Sequence, residues 1–188
     1  MARSLRGHFL VAGRRLRDSN FFQTIVLLVE HNSEGAMGLV VNRPTETTVH
    51  EALSGHFDLP ESDELVYWGG PVTEDALFIL HNVAAADSNE AALVPGLYVG
   101  SSAEAFADVV RRMIQGEDGA SFRVFRGCAG WSAGQLEGEI SRSDWLICPA
   151  VGEVVFHPDP YAAWQDVCEN IRTSNPLKEG VANDPRWN

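Results

Sequence analysis

Polar and apolar residues separate most sharply between Phe21 and Pro44, where two nearly unbroken apolar runs, Ile25 to Val29 and Ala36 to Val41, flank the polar stretch His31-Asn32-Ser33-Glu34-Gly35. A strand with one wet face alternates polar and apolar residues, so runs this continuous predict a hairpin buried on both faces. Gly35 is available for the positive φ that closes such a turn. Upstream, His8 to Ala12 predicts a first strand ahead of an arginine-rich turn ending at Asp18-Ser19-Asn20. Downstream, Leu65 to Trp68, Ala76 to Leu80, Leu97 to Val99, Ser121 to Cys128 and Leu146 to Cys148 predict further strands, two of them beside Gly-Pro or Pro-Gly turns.

Helices are predicted from caps and from apolar stripes. Thr48 and Glu51 form a capping box for a short helix carrying Val49, Ala52, Leu53 and Phe57. Ser101 and Glu104 form a second, ahead of Phe106, Val109, Val110, Met113 and Ile114 at the offsets of a buried stripe. Trp131-Ser132 is read as opening a third helix, with Ser132 as cap and Gln135 returning the bond. Asp159-Pro160 opens the last, a cap followed by proline at the first helical position, with Tyr161, Trp164, Val167 and Ile171 expected inside. Residues 174–188 read as a loose polar tail that Trp187 could anchor. Strands outnumber helices and do not alternate with them, which predicts an α+β fold on a mainly antiparallel sheet. A length of 188 residues without repeat or linker predicts a single domain, 1–188.

Charge narrows the functional classes. Lys+Arg 14 against Asp+Glu 26 gives a net charge of −12, whereas electrostatic capture of a phosphate backbone needs a concentrated basic face. Direct DNA binding is therefore disfavoured, although Arg3, Arg6, Arg14, Arg15 and Arg17 crowd the first seventeen residues. No apolar run reaches the roughly 18 residues that span a bilayer, which predicts a protein that stays off the membrane and in the cytoplasm. Cys128, Cys148 and Cys168 are each twenty residues apart, the spacing of neither a zinc site nor a disulfide framework, and read as buried thiols. No metal or cofactor is expected.

Three constellations could carry chemistry. Gly130-Trp131-Ser132-Ala133-Gly134 matches a nucleophile-elbow pattern, with Asp144 and His157 following in hydrolase order. Only 56 residues remain after Ser132, scant room for the units that deliver the acid and base, and capping accounts for the hydroxyl. Gly127, Gly130 and Gly134 could cradle an anion, but the loop lacks a P-loop lysine and Glu137 and Glu139 follow it. Glu30-His31-Asn32 places a carboxylate and an imidazole at a strand end, where acid–base groups or metal ligands sit; a polar rim over a buried hairpin is the preferred explanation.

Several spaced blocks together resemble the AlgH/YqgE family: Asp18 through Asn20-Phe21 to Glu30-His31-Asn32, then Gly35-Ala36-Met37-Gly38-Leu39-Val40-Val41-Asn42-Arg43-Pro44, Gly69-Gly70-Pro71-Val72, Ile79-Leu80-His81, and Gly130-Trp131 with Gly134-Gln135-Leu136-Glu137. The resemblance implies a curved sheet, partly closed like a small barrel and wrapped by about four helices. It implies no catalytic residue, and the family's name as a transcriptional regulator rests on genetic association and not on a DNA-binding motif. The chain departs from the family pattern at Ser19, where proline is usual, at Cys128, where an aromatic is common, and at Ser132, where glycine is frequent.

The resulting expectation is a binding or regulatory protein that contacts another protein or a small molecule. The alternative is a hydrolase using Ser132 or the Glu30-His31 loop. Glu30, His31, Asn32, Asn42, Arg43, Trp131, Gln135 and Glu137 are the candidate ligand-binding residues, expected on one face at the sheet's end. The competing arrangement pairs Arg43 with Glu137 and uses Asn32 and Asn42 to tie down turns.

Overall fold

A computed structural model describes residues 4–55, 63–83, 92–100, 107, 109 and 119–174. The first strands form where the apolar pattern places them: β1 (His8–Ala12), β2 (Ile25–Asn32) and β3 (Gly35–Val40), the last two closed by a turn that needs only Ser33 and Glu34. β2 is dry on both faces from Ile25 to Val29, whereas β3 is half-buried at Ala36 and Met37 and sealed only from Gly38. Then come β4 (Pro44–Thr48), α1 (Val49–Leu53), β5 (Leu65–Trp68), β6 (Val72–His81), β7 (Tyr98–Gly100), β8 (Phe122–Ser132), α2 (Gln135–Ser141), β9 (Trp145–Pro149), α3 (Gly152–Val155) and α4 (Ala163–Ser174). The capping box is present: the Thr48 hydroxyl accepts from Glu51 N–H at 3.1 Å and the Glu51 carboxylate from Thr48 N–H at 2.9 Å. The helix predicted after Ser101 lies mostly outside the described residues; Ala107 and Val109 are both helical, and Val109 is buried beside Val49, Leu53 and Ile79.

The nine strands make one mixed sheet in the order β4-β5-β8-β3-β2-β1-β9, with β6 on the other side of β8 and β7 beyond it. Every pairing is antiparallel except β5 with β8. β8 changes neighbours along its length: Val124 to Arg126 lie beside β5, and Ala129 to Ser132 beside β3. Gly127 marks the change with φ +72, and a Cβ on it would strike the carbonyl of Gly70, while one on Gly70 would strike the Cys128 backbone. The Gly69-Gly70-Pro71 block is thus a backbone crossing in which side chains have no room.

The sheet is curved and open, with no pairing among the described residues that joins its edges. The curvature is large. β8 and β9 are four strand steps apart, about 19 Å in a flat sheet, yet Trp131 on β8 and Trp145 on β9 meet with ring centroids 6.1 Å apart. The inside of this bend holds Leu10, Val26, Leu28, Val40, Ala129 and both tryptophans, under Leu136 of α2. The opposite face buries Phe9, Val11, Ile25, Leu27, Val29 and Leu39 against Val155, Ala163, Val167 and Cys168 of α3 and α4.

Two predicted helix starts are displaced. β8 runs on through Trp131, which pairs with Ala36, so Trp131 belongs to a strand and α2 begins only after Gly134, whose φ of +76 makes the turn. Ser132 consequently caps nothing: its N–H and hydroxyl both point to Gln135 Oε1, at 3.1 and 3.2 Å. α4 starts at Ala163, after turns in which the Asp159 carboxylate accepts from Tyr161 and Ala162 N–H. Tyr161 therefore precedes the helix and stands 78% exposed. Trp164 and Ile171 pack partly buried, as the stripe predicts.

Candidate functional site

The candidate residues distribute over two regions joined by an aromatic ladder. In the first, a β-bulge decides which side chains meet. Leu28 pairs with Gly38 but Glu30 pairs with Met37, so one extra residue, Val29, is accommodated in β2. Alternation alone would place Glu30 on the face of Val26 and Leu28; the bulge re-phases the strand and puts His31 there, in lateral register with Ala36 and Trp131. Glu30 goes to the opposite face and is exposed. The two residues read as a pair are therefore separated by the sheet.

His31 is clamped. Its Nδ1 lies 2.8 Å from the Leu5 backbone N–H and its Nε2 lies 3.0 Å from Glu137 Oε1. An amide N–H can only donate, so Nδ1 carries the lone pair and Nε2 the proton, giving a neutral ring whose basic nitrogen is already engaged. Its own backbone N–H and the His31 proton hold the Glu137 carboxyl below the usual carboxylate range. Next to it on α2, Glu139 gathers three donors: the indole N–H of Trp131 and of Trp145, each 2.8 Å from Oε2, and the Gln135 carboxamide, 3.0 Å from Oε1. Trp131 is 6% exposed, so it is a wall of the core and not of an open site. This end of the molecule is a staple that joins β8, β9 and α2 through one carboxylate.

The second region begins across the ladder. Phe21 lies 6.2 Å from Trp131, 5.6 Å from Trp145 and 6.4 Å from Trp68 between ring centroids, and the Arg43 guanidinium sits 5.5 Å from the Trp68 ring centroid. Asn42 is buried, accepting from Ile25 N–H at 2.9 Å and donating to the Gln23 carbonyl at 3.0 Å. Arg43 donates to the carbonyls of Phe22, at 2.8 Å, and Ser19, at 3.4 Å. Together they hold the loop 19–23 in place, including Gln23 at φ +54, a left-handed conformation that a non-glycine residue adopts at a cost of about 1 kcal/mol. Asn32 ties its own turn, accepting from Glu34 N–H at 2.8 Å. Arg43 and Glu137 do not pair; His31 takes the carboxylate.

Loop 19–23 forms one wall of an open cleft of about 320 Å³ lined by Phe22, Gln23, Asn42, Arg43, Pro44 and Tyr161. Arg123 fixes both walls. Its guanidinium stacks 4.4 Å from the Tyr67 ring centroid and donates to the carbonyl of Val41, beside Asn42, and to those of Val155 and His157, on the segment carrying Tyr161. Burial pulls its pKa down, offset in part by Tyr67 and Glu64, and burial pushes the Tyr67 phenol up. Sequence reasoning missed Arg123, Phe22, Gln23, Tyr161 and Glu139. An arginine set between the apolar residues Phe122 and Val124 was the available signal for the first, and nothing local marked the others.

The residues read as a possible triad are engaged elsewhere: Asp144 accepts from Arg142 at 2.8 Å and His157 faces Asp166 at 3.2 Å. Cys128 and Cys168 are buried and Cys148 is half-buried. Burial raises the Cys148 and Cys168 thiols to about 11, which keeps them protonated and unreactive near neutral pH. Among the described residues no group of three or more His, Cys, Asp or Glu is placed to hold a metal ion, and no helix is long and apolar enough to cross a membrane.

The chain thus combines a curved open sheet, α2 stapled inside its bend and the Asn42-Arg43 clamp beside it. The AlgH-like family model matches residues 9–175, and the chain belongs to that family. A UPF0301 protein of Marinomonas sp. is 40% identical over 159 residues, 82% of each chain, and one of Stenotrophomonas maltophilia is 38% identical over 173 residues, 89% of each. The solution structure of the AlgH protein from Pseudomonas aeruginosa superposes with a TM-score of 0.70 at 33% identity, covering 95% of both chains. A crystal structure from Corynebacterium diphtheriae, protein DIP2367, shares the fold with a TM-score of 0.73 at 22% identity.

Proposed function

We propose that this protein is a cytoplasmic, single-domain binding or regulatory protein that works by contact with a partner molecule, and that the contact is made at the cleft between loop 19–23 and Tyr161. The supporting observation is the coincidence of exposed aromatic rings with a fixed backbone. Phe22 and Tyr161 are 49% and 78% exposed, yet the carbonyl of Phe22 is held by Arg43 and the N–H of Tyr161 by Asp159. Surface aromatics presented from a pinned frame lose little conformational freedom on binding, which is what a recognition site needs. The His31 and Glu139 cluster has the opposite character, because its polar atoms are spent on one another.

In this reading Asn42 and Arg43 position the loop, Phe22, Gln23 and Tyr161 touch the partner, and Trp131, Gln135 and Glu137 keep the sheet bent. Direct DNA binding is not part of it, given a net charge of −12. The test is a screen of small aromatic fragments followed by amide chemical shifts. Binders should perturb residues 22–23, 42–44 and 161, and Tyr161→Ala should weaken that binding several-fold. Fragments that collect on another face and leave this cleft untouched would overturn the proposal.

A further inference from the structure

We infer that the cleft takes an aromatic carboxylate, its charge received by Arg43 and the Gln23 carboxamide and its ring by Phe22 and Tyr161. This rests on the cleft being the binding site. Arg43 is a half-buried cation whose hydrogen bonds go to two backbone carbonyls and whose flat face is taken by Trp68. Among the described residues no carboxylate lies within ion-pair distance of it. Asp18 is the nearest acid in electrostatic terms, and one of its oxygens already accepts from Asn20 N–H at 2.8 Å. Burial lowers the Arg43 pKa more than Asp18 raises it, so the charge is under-compensated where it stands. A cation held in that condition at the base of a cleft gains most from a partner that brings its own negative charge.

The other lining groups narrow the class. Asn42 has both halves of its amide committed, but the Gln23 side chain is exposed and makes no hydrogen bond among the described residues. One guanidinium with two N–H groups already used, plus one carboxamide, suits the two oxygens of a carboxylate better than the three of a phosphate dianion. Phe22, Pro44 and Tyr161 then leave apolar surface for a planar ring, in a volume at the small end of ligand pockets.

Benzoate, benzamide, cyclohexanecarboxylate and inorganic phosphate, each titrated into the wild-type protein and followed by amide chemical shifts, separate these contributions. Benzoate is expected to bind with a millimolar dissociation constant, shifting residues 22–23, 43 and 161, about tenfold more tightly than benzamide and more tightly than phosphate. Its affinity should fall as salt is added, and Tyr161→Ala should weaken it several-fold without changing that salt dependence. Benzamide binding as tightly as benzoate at these residues would overturn the charge assignment while leaving the cleft as the site. Phosphate or cyclohexanecarboxylate matching benzoate would overturn the aromatic carboxylate. Failure of every probe, together with failure of neutral fragments to reach the cleft, would remove the site itself.

Discussion

The two polar regions of this protein lie at opposite ends of one aromatic ladder and use similar residues to opposite ends. Around Glu139, two indoles, a carboxamide and a carboxylate satisfy each other, and His31 is closed off between Leu5 and Glu137. Around Arg43, side chains hold backbone instead, and the loop so held carries aromatic surface outward. Polar residues within family-like blocks therefore serve the fold in one case and a surface in the other. What separates them is whether the ionised group is surrounded by side-chain donors, as Glu139 is, or lines an open cleft, as Arg43 does.

The comparison makes Glu139 the most damaging position to change. Glu139→Ala leaves two buried indole N–H groups without an acceptor and should cost about 3 kcal/mol in denaturant unfolding, with Glu139→Gln costing less. A loss under about 1 kcal/mol would mean that the bend stands without its staple. Asn42→Ala comes next, at about 2 kcal/mol, because Ile25 N–H and the Gln23 carbonyl both lose their partner. It should also broaden the amide signals of residues 22 and 23, a readout that Glu139→Ala should not share.

Acidification probes the His31 end more gently. The folded pKa of Glu137 lies below its ordinary value of 4.5, so its contribution is present above that value and is lost as the pH falls through the folded pKa. The stability gap between wild type and Glu137→Gln should therefore close on titrating from about pH 6 to about pH 3. A gap that widens toward low pH would contradict the arrangement. Smallest of all is Tyr161→Ala, expected to change stability by less than about 0.5 kcal/mol because the ring is 78% exposed. A large loss there would make Tyr161 a structural residue and erase the contrast between the two ends.

Features that depend on neighbours in the chain were legible from residue order alone. β1 at His8–Ala12, β5 at Leu65–Trp68 and the Thr48–Glu51 cap follow from short apolar runs bounded by turn residues and from side chains that reach three residues. The dry stretch of the β2–β3 hairpin follows from an apolar run that no half-exposed strand would carry. Of the candidate site, the residues were legible and their arrangement was not. Trp131 stays in β8 because its pairing with Ala36, a contact distant in the chain, outweighs the helix signal of Ser132 and Gln135. Strand pairing likewise sets, through one bulged residue at Val29, that His31 and not Glu30 faces α2. Arg123 was unreadable for the same reason: its partners Val41, Val155 and His157 are 82, 32 and 34 residues away, and no local pattern specifies which distant carbonyls a buried cation will meet.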